Sequence, residues 1–434
     1  MRETRPEAAT KYGRLRGVWS EDGRTAIYRG IPYAGPPVGE YRWQPPREVE
    51  SWQGMREASA FSNACYHEPN RDPNWFYNVE YQYLEHPQNE SEDCLYLNIW
   101  APAGSADAPL PVAMWIHGGG FNNGYGHELE FDGEAYARRG VILVTINYRL
   151  GIFGFFSHPD GCTGNDGLLD QLAALKWVRE NIADFGGDPE NITIFGQSAG
   201  SMSVQLLAAS PYTEGLFARA ISQSGGLASE MLSSMAAGED ERLREAELLL
   251  RETGASAVEE LRHIPAQELM RSWLEVKRKN PKLRWSQETP REDGSGLVSF
   301  TGPMRNIPVL CGSTANDGMG DSAMTERMHS AGSVIAERNT CPTYLYYFDR
   351  GLPGDSSGAF HSAELWYVFG TLRRSWRPFT ETDGQLSERM LDYWTNFMRT
   401  GDPNGPGLPE WRPYTRENPV EMELGERVGL RPIN

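Results

Sequence analysis

Apolar positions along this chain fall into short runs separated by stretches of helical period, and that alternation predicts an α/β domain rather than a β-sandwich. The runs that read as strands are 94–100, 112–116, 141–146, 191–195, 219–223, 307–311 and 344–348. Several are apolar throughout, as strands covered on both faces are. The clearest helix is 166–185, where Leu168, Leu172, Leu175, Val178, Ile182 and Phe185 recur at three- and four-residue steps. Asp166 is placed to cap its start and Gly186-Gly187 to end it. A second helix is expected over 387–400, closed by Gly401 with Pro403 beyond it.

From 229 the pattern changes to charged amphipathic helices, with 242–252 and 266–273 as examples. This reads as a helical cap or lid, 229–300, inserted in a single domain spanning 1–434. No internal repeat and no Gly/Ser linker divides the chain. Its 46 glycines and 29 prolines lie between the elements, as in long structured loops, which are usually functional.

Charge narrows the partners. With 41 Lys+Arg against 59 Asp+Glu the formal charge is −18, which repels phosphate backbones and excludes nucleic acid or an anionic membrane surface as the expected partner. No apolar run is long enough to span a membrane, and the N-terminal Met-Arg-Glu-Thr-Arg-Pro-Glu lacks the apolar core of a signal peptide, so a cytoplasmic location is expected. Cys65, Cys94, Cys162, Cys311 and Cys341 are scattered, without Cys-x-x-Cys or His-Glu-x-x-His. Neither a zinc site nor a redox dithiol is suggested, no cofactor is called for, and at least one thiol stays unpaired in a monomer.

Gly196-Gln197-Ser198-Ala199-Gly200 has the Gly-x-Ser-x-Gly form of a nucleophile elbow, but so does 354–358, which contains Ser356. Context separates them. Ser198 follows an apolar strand and precedes a helix-compatible stretch, 199–210, the strand-turn-helix that lifts a hydroxyl clear of a sheet. Ser356 sits in a loop rich in Pro, Gly and Asp.

Upstream, His117-Gly118-Gly119-Gly120 closes a buried strand with glycines whose backbone N–H groups can turn toward a developing oxyanion. The general base belongs downstream of the nucleophile, with its orienting acid between them. Of the three later histidines, His263 lies in the charged helical region and His329 in a surface helix, so both read as solvated side chains. His361, in a loop after strand 344–348, is the candidate base. Asp317, just past the end of strand 307–311, is the candidate acid, because ligand sites in open α/β sheets sit at the carboxyl ends of strands.

Together these residues resemble the type-B carboxylesterases, the esterase/lipase family that includes cholinesterases and bacterial p-nitrobenzyl esterases. The likeness runs over nearly the whole chain. It includes Tyr28-Arg29-Gly30-Ile31-Pro32-Tyr33, Ser91-Glu92-Asp93-Cys94-Leu95, Asn147-Tyr148-Arg149, Gly164-Asn165-Asp166 and Gly401-Asp402-Pro403-Asn404. The resemblance implies an α/β-hydrolase fold and hydrolysis of small-molecule carboxylic esters without metal or organic cofactor. It also implies a Ser198, Asp317, His361 triad, oxyanion donors on Gly119, Gly120 and Ala199, and Ser224 as a buried serine supporting the triad. Cys65 and Cys94 match the family's disulfide pair, although a reducing cytoplasm would oppose that bond.

Three departures from the family carry expectations. The acid position usually holds Glu, one methylene longer than Asp317, so either the loop moves in or the contact to His361 changes. Asp317 and His361 stand closer in sequence than in the family, with a segment lost just after Gly318, which predicts a more open site admitting bulkier esters. Gln197 stands where Glu is frequent, removing a negative charge and weakening a cholinesterase-like reading. The aromatic loop holding Trp75, Phe76, Tyr77, Tyr81 and Tyr83 reads equally as rim packing or as a platform for an apolar or sugar substrate. Two further readings fit the same fold: a catalytically silent adhesion or binding module, and an amide or lactone hydrolase.

Overall fold

An eleven-stranded mixed sheet organises the molecule. In chain order its strands are β1 (Val18–Trp19), β2 (Thr25–Pro32), β3 (Tyr96–Pro102), β4 (Leu110–Ile116), β5 (Ile142–Ile146) and β6 (Gly187–Gln197). They continue as β7 (Arg219–Gln223), β8 (Val309–Thr314), β9 (Thr343–Phe348), β10 (Val420–Leu424) and β11 (Val428–Pro432). The spatial order is β11-β10-β9-β8-β7-β6-β4-β5-β3-β2-β1. Strands from β5 to β10 are parallel, and antiparallel pairs finish both edges. The computed structural model describes residues 4–67, 72–85, 88–104, 108–235, 238–283, 286–299, 302–317 and 323–433.

Strand β4 explains why the central sequence runs are apolar at every position. Its side chains alternate between two cores: Val112, Met114 and Ile116 belong to one, Ala113 and Trp115 to the other, all without solvent exposure. On the first face lie helices Asp166–Asn181 and Ala199–Ala209, through Leu172, Leu175, Val178, Val204 and Leu207. On the second lies helix Glu381–Thr400, through Met390, Leu391, Trp394 and Phe397. Three layers result.

Several boundaries depart from the sequence pattern. Helix 166–185 is α-helical only to Asn181, and Ile182–Phe185 tightens into a 3-10 turn before Gly186 caps it at φ 84°. Asp166 is not the cap: Asn165 holds that position, and Asp166 is the first helical residue, 1% exposed and 3.8 Å from Arg149. Burial pushes its carboxyl up to about 6. The helix expected from 387 starts at Glu381, where Thr380 and Asp383 form a capping box. Strand 307–311 is displaced to Val309–Thr314 because it pairs with all of β9.

The segment 229–300 contains helices Ala228–Met235, Glu239–Thr253, Val258–Leu261 and Ala266–Lys279. The last three build a third core in which Leu249, Leu269 and Trp273 meet Trp43, Phe153 and Phe156, whereas Ala228, Met231 and Leu232 of the first join the core on the Ala199–Ala209 side of the sheet. Arg42 ties the segment to the main body, clamping Glu92 at 2.6 and 2.7 Å and donating to the Leu261 carbonyl at 2.6 Å. Cys65 and Cys94 are joined in a disulfide, while Cys162, Cys311 and Cys341 are free. Among the described residues, no helix is long and apolar enough to cross a membrane.

Candidate active site

Sheet topology places the site. Strands β5 and β6 lie on opposite sides of β4, so the connections leaving β4 and β6 diverge and open a crevice at their carboxyl ends. Gly196 of β6 is in register with Ile116 of β4, which sets the glycine loop and Ser198 side by side.

Ser198 sits between β6 and helix Ala199–Ala209 at φ 56° and ψ −123°, a conformation a non-glycine residue holds only where its surroundings enforce it. The flanking glycines permit the turn. A Cβ on Gly196 would lie 2.6 Å from the Gly200 carbonyl group, and one on Gly200 would lie 2.0 Å from the Ile116 oxygen. The Ser198 N–H donates to the Gln223 carbonyl at 2.8 Å, anchoring the turn on the next strand.

Gly119 and Gly120 adopt φ 98° and 63°. A Cβ on Gly119 would collide with the Asn123 carbonyl at 2.1 Å, whereas Gly120 faces open space. Asn122 and Asn123 N–H groups donate back to the Gly119 carbonyl at 3.0 and 3.1 Å and hold the loop. Among the described residues, the N–H groups of Gly119, Gly120 and Ala199 donate to no protein acceptor, so all three remain free for a ligand oxygen.

Asp317 follows β8 and His361 follows the loop after β9. One parallel bridge, Asn316↔Phe360, brings their immediate neighbours together. The Asn316 N–H donates to the Ala359 carbonyl at 2.8 Å, and the Ala359 N–H donates to the Asn316 side chain at 2.9 Å. This clamp answers the question of the short acid: Asp317 Oδ1 hydrogen-bonds His361 Nδ1, so the aspartate does reach the imidazole. Its other oxygen accepts from Ser224 Oγ at 2.6 Å and from Thr314 Oγ1 at 3.1 Å. Asp317 is 3% exposed. Burial works against protonation of His361, but the hydrogen bond and charge of Asp317 outweigh it and raise the imidazole above its ordinary value.

Gln197 lies against the base, its Nε2 3.0 Å from His361 Nε2. With Nδ1–H committed to Asp317, His361 Nε2 is the acceptor of this bond. Glu364, one helical turn beyond His361, is fully buried, and burial with the nearby Asp317 charge pushes its carboxyl up to about 7.

Ser198, His361, Gly119 and Gly120 line one cavity of about 380 Å³. Trp75, Tyr77, Tyr81 and Tyr83 also line it, whereas Phe76 packs on Phe360 at 4.8 Å. The aromatic loop is therefore both packing and wall. Tyr81 Oη bonds Ser362 Oγ at 2.8 Å, fixing the residue after the base. None of the described residues lining this cavity comes from 229–300.

The remaining candidates lie elsewhere. Ser356 is exposed in a bend with no helix after it. His263 is exposed, and His329 Nε2 lies 2.8 Å from Glu421. The junction after Gly318, where the segment was expected to be lost, falls within 318–322, outside the described residues. Sequence reasoning missed Glu128 and Glu130 in the cavity wall, as well as Thr314, Asn316 and Glu364. Glu128 and Glu130 reach the cavity from a turn closed by the Phe131 N–H on the Glu128 carbonyl at 3.0 Å, and no periodic run announces that.

A serine at a strand-turn-helix elbow, beside a free-donor glycine loop and a His–Asp pair on later loops, defines an α/β-hydrolase. The chain belongs to the carboxylesterase family, whose model matches residues 4–332 and 312–431. It is 33% identical to the fumonisin B1 esterase of Sphingopyxis macrogoltabida, over 97% of this chain and 86% of that protein. It is equally 33% identical to the para-nitrobenzyl esterase of Bacillus subtilis, over 97% and 95%. A solved thermophilic PNB esterase superposes with a TM-score of 0.80 at 29% identity, covering 99% of this chain and 98% of that one. The protein is a carboxylic ester hydrolase. The alignment with the fumonisin B1 esterase runs over 494 residues, longer than the 434 of this chain, so the relative carries segments absent here.

Proposed function

We propose that Ser198, His361 and Asp317 hydrolyse small-molecule carboxylic esters through an acyl-enzyme. His361 Nε2 takes the Ser198 proton as the hydroxyl attacks the ester carbonyl. The tetrahedral oxyanion is held by the N–H groups of Gly119, Gly120 and Ala199. The protonated imidazole, stabilised by Asp317, then delivers its proton to the leaving alcohol, and water repeats the cycle to release the acid. Ser224 and Thr314 hold the Asp317 carboxylate in its orientation toward His361.

The observation that carries this reading is the hydrogen-bonded line Ser224–Asp317–His361, ending in the cavity that the Ser198 elbow also enters. The shortened stretch after Asp317 supports an open wall and bulkier esters. The test is turnover of p-nitrophenyl acetate, butyrate and octanoate by wild type and Ser198→Ala. The variant should lose at least about 10⁴-fold in kcat at unchanged folding; retained turnover would reject Ser198 as the nucleophile.

A further inference from the structure

The cavity wall contains a group that ester hydrolysis does not use. Glu128 and Glu130, 6% and 1% exposed, line the same cavity as Ser198 and His361. Glu128 is held in place: Oε1 accepts from the Tyr125 N–H at 3.0 Å and Oε2 from Tyr83 Oη at 3.0 Å. The Glu130 backbone is fixed as well, its carbonyl accepting from Thr371 Oγ1 at 2.8 Å. Yet Glu130 Oε2 is buried and receives no hydrogen bond from a protein donor. A buried carboxyl left in this state costs stability unless something else satisfies it.

Among the described residues no protein cation is paired with either carboxyl, and the nearby arginines are committed elsewhere. Arg377 is held by Glu80 and Asp355, and Arg374 by Asp132 at 2.6 Å. Among the described residues the other titratable groups around the pair are Tyr81, Tyr83, Tyr125, Tyr148, Glu80 and His127, with Arg29 beyond His127 over the Phe61 ring. The phenols carry no positive charge, and burial lowers the His127 imidazole to about 4, leaving it uncharged near neutrality. The cavity offers aromatic rings beside the carboxyls, with Tyr81 and Tyr83 stacked at 5.7 Å. A buried anion site next to π faces, in a chain of charge −18, has the chemistry that binds an alkylammonium group.

We propose that Glu128 and Glu130 form a recognition subsite for a protonated amine, so that the preferred substrates are esters bearing a primary or secondary ammonium group. The substrate class rests on the esterase reading above; the subsite itself does not. Negative charge missing at Gln197 is thus supplied from another wall. Without a cation the two carboxyls share a proton: burial and the charge of Glu128 keep it on Glu130, whose hydrogen bond in turn favours the ionised form of Glu128. An incoming ammonium replaces that proton, which leaves to solvent, so binding tightens as pH rises until the pair ionises unaided.

Two measurements decide it. The first is calorimetric binding of hexylammonium against hexanol to the full-length wild type, in buffers of different ionisation enthalpy. Tighter binding of the ammonium by about tenfold or more, with proton release, is expected; equal or weaker binding overturns the proposal. This readout needs no turnover, so it stands apart from any failure of the esterase reading, which would appear as an inert p-nitrophenyl heptanoate. The second is the ratio of kcat/KM for the p-nitrophenyl ester of ε-aminocaproic acid to that of heptanoic acid, measured within each variant so that general losses divide out. In wild type the ratio should favour the ammonium ester, through KM, and should collapse about tenfold in Glu130→Gln and in Glu128→Gln. A ratio unchanged in both variants overturns the assignment.

Discussion

Replacing Gln197 by Glu tests the electrostatics of the site directly. In the native protein the Gln197 amide donates to His361 Nε2 at 3.0 Å, and it can do so only while that nitrogen is unprotonated. The bond therefore favours neutral imidazole and competes with the Ser198 hydroxyl for one lone pair. A carboxylate at the same place would accept from protonated Nε2 and favour the charged form. At 3.0 Å and an effective dielectric near 20, Coulomb's law gives about 5 kcal/mol of attraction. Position 197 is 4% exposed, so desolvating the new carboxylate consumes more than half of that. About 2 kcal/mol remains, which moves the imidazole up by roughly one and a half pH units. The assay is kcat/KM for p-nitrophenyl butyrate from about pH 5 to 9, read at the isosbestic wavelength of nitrophenol. In wild type the acid limb should already lie above the ordinary histidine value, because Asp317 raises His361. In Gln197→Glu it should move further up, with activity at neutral pH falling accordingly. An acid limb that stays put or moves down would refute both the tautomer assigned to His361 and its role as base.

Other consequences can be checked as simply. Ser224→Ala removes a charge-assisted bond of 2.6 Å to Asp317 and should lower kcat about tenfold to a hundredfold with little change in KM; an equal rise in KM would place the serine's role in substrate binding instead. Gly200→Ala drives a Cβ to 2.0 Å from the Ile116 carbonyl and should prevent folding or cost more than about 3 kcal/mol in a urea melt, so a native-like melt would mean the elbow can relax. Glu364, raised from 4.5 to about 7, is protonated more readily folded than unfolded. Its contribution is complete below the unfolded value and disappears as pH rises through the folded one. The stability difference between wild type and Glu364→Gln should therefore shift against wild type by about 3 kcal/mol between pH 4.5 and 8, and a difference independent of pH would contradict the burial assigned to it.

How much of this was legible beforehand depended on the range of the interactions involved. Strand β7 matched its sequence run residue for residue, and β4, β5 and β9 matched within two, because burial on both faces leaves an uninterrupted apolar record. Strands β1, β2, β10 and β11 were missed. β2 carries Arg29 and Gly30 at a register shift between Tyr28 and Ile31, and β10 buries Glu421 through pairs with His329 and Arg431, so neither shows a hydrophobic run. The elbow was legible because its glycines form a motif of fixed spacing between a strand and a helix, even though the close approach they allow is to Ile116 on another strand.

The sequence by itself determined the class of the sheet, the strained turn at Ser198, the free donors of the glycine loop and the family to which they belong. Each is a local matter of φ and ψ, periodicity or motif order. Only the tertiary structure decided that Asp317, though one methylene short, reaches His361. That contact depends on the Asn316↔Phe360 bridge and on Ser224, which approach from three separate strands. Tertiary structure alone also put Glu128 and Glu130 into the cavity with no paired cation among the described residues, since burial and partnership are properties of everything that packs around a residue. Long-range contacts leave no periodic trace in a chain, and the features that tune this site are built from them.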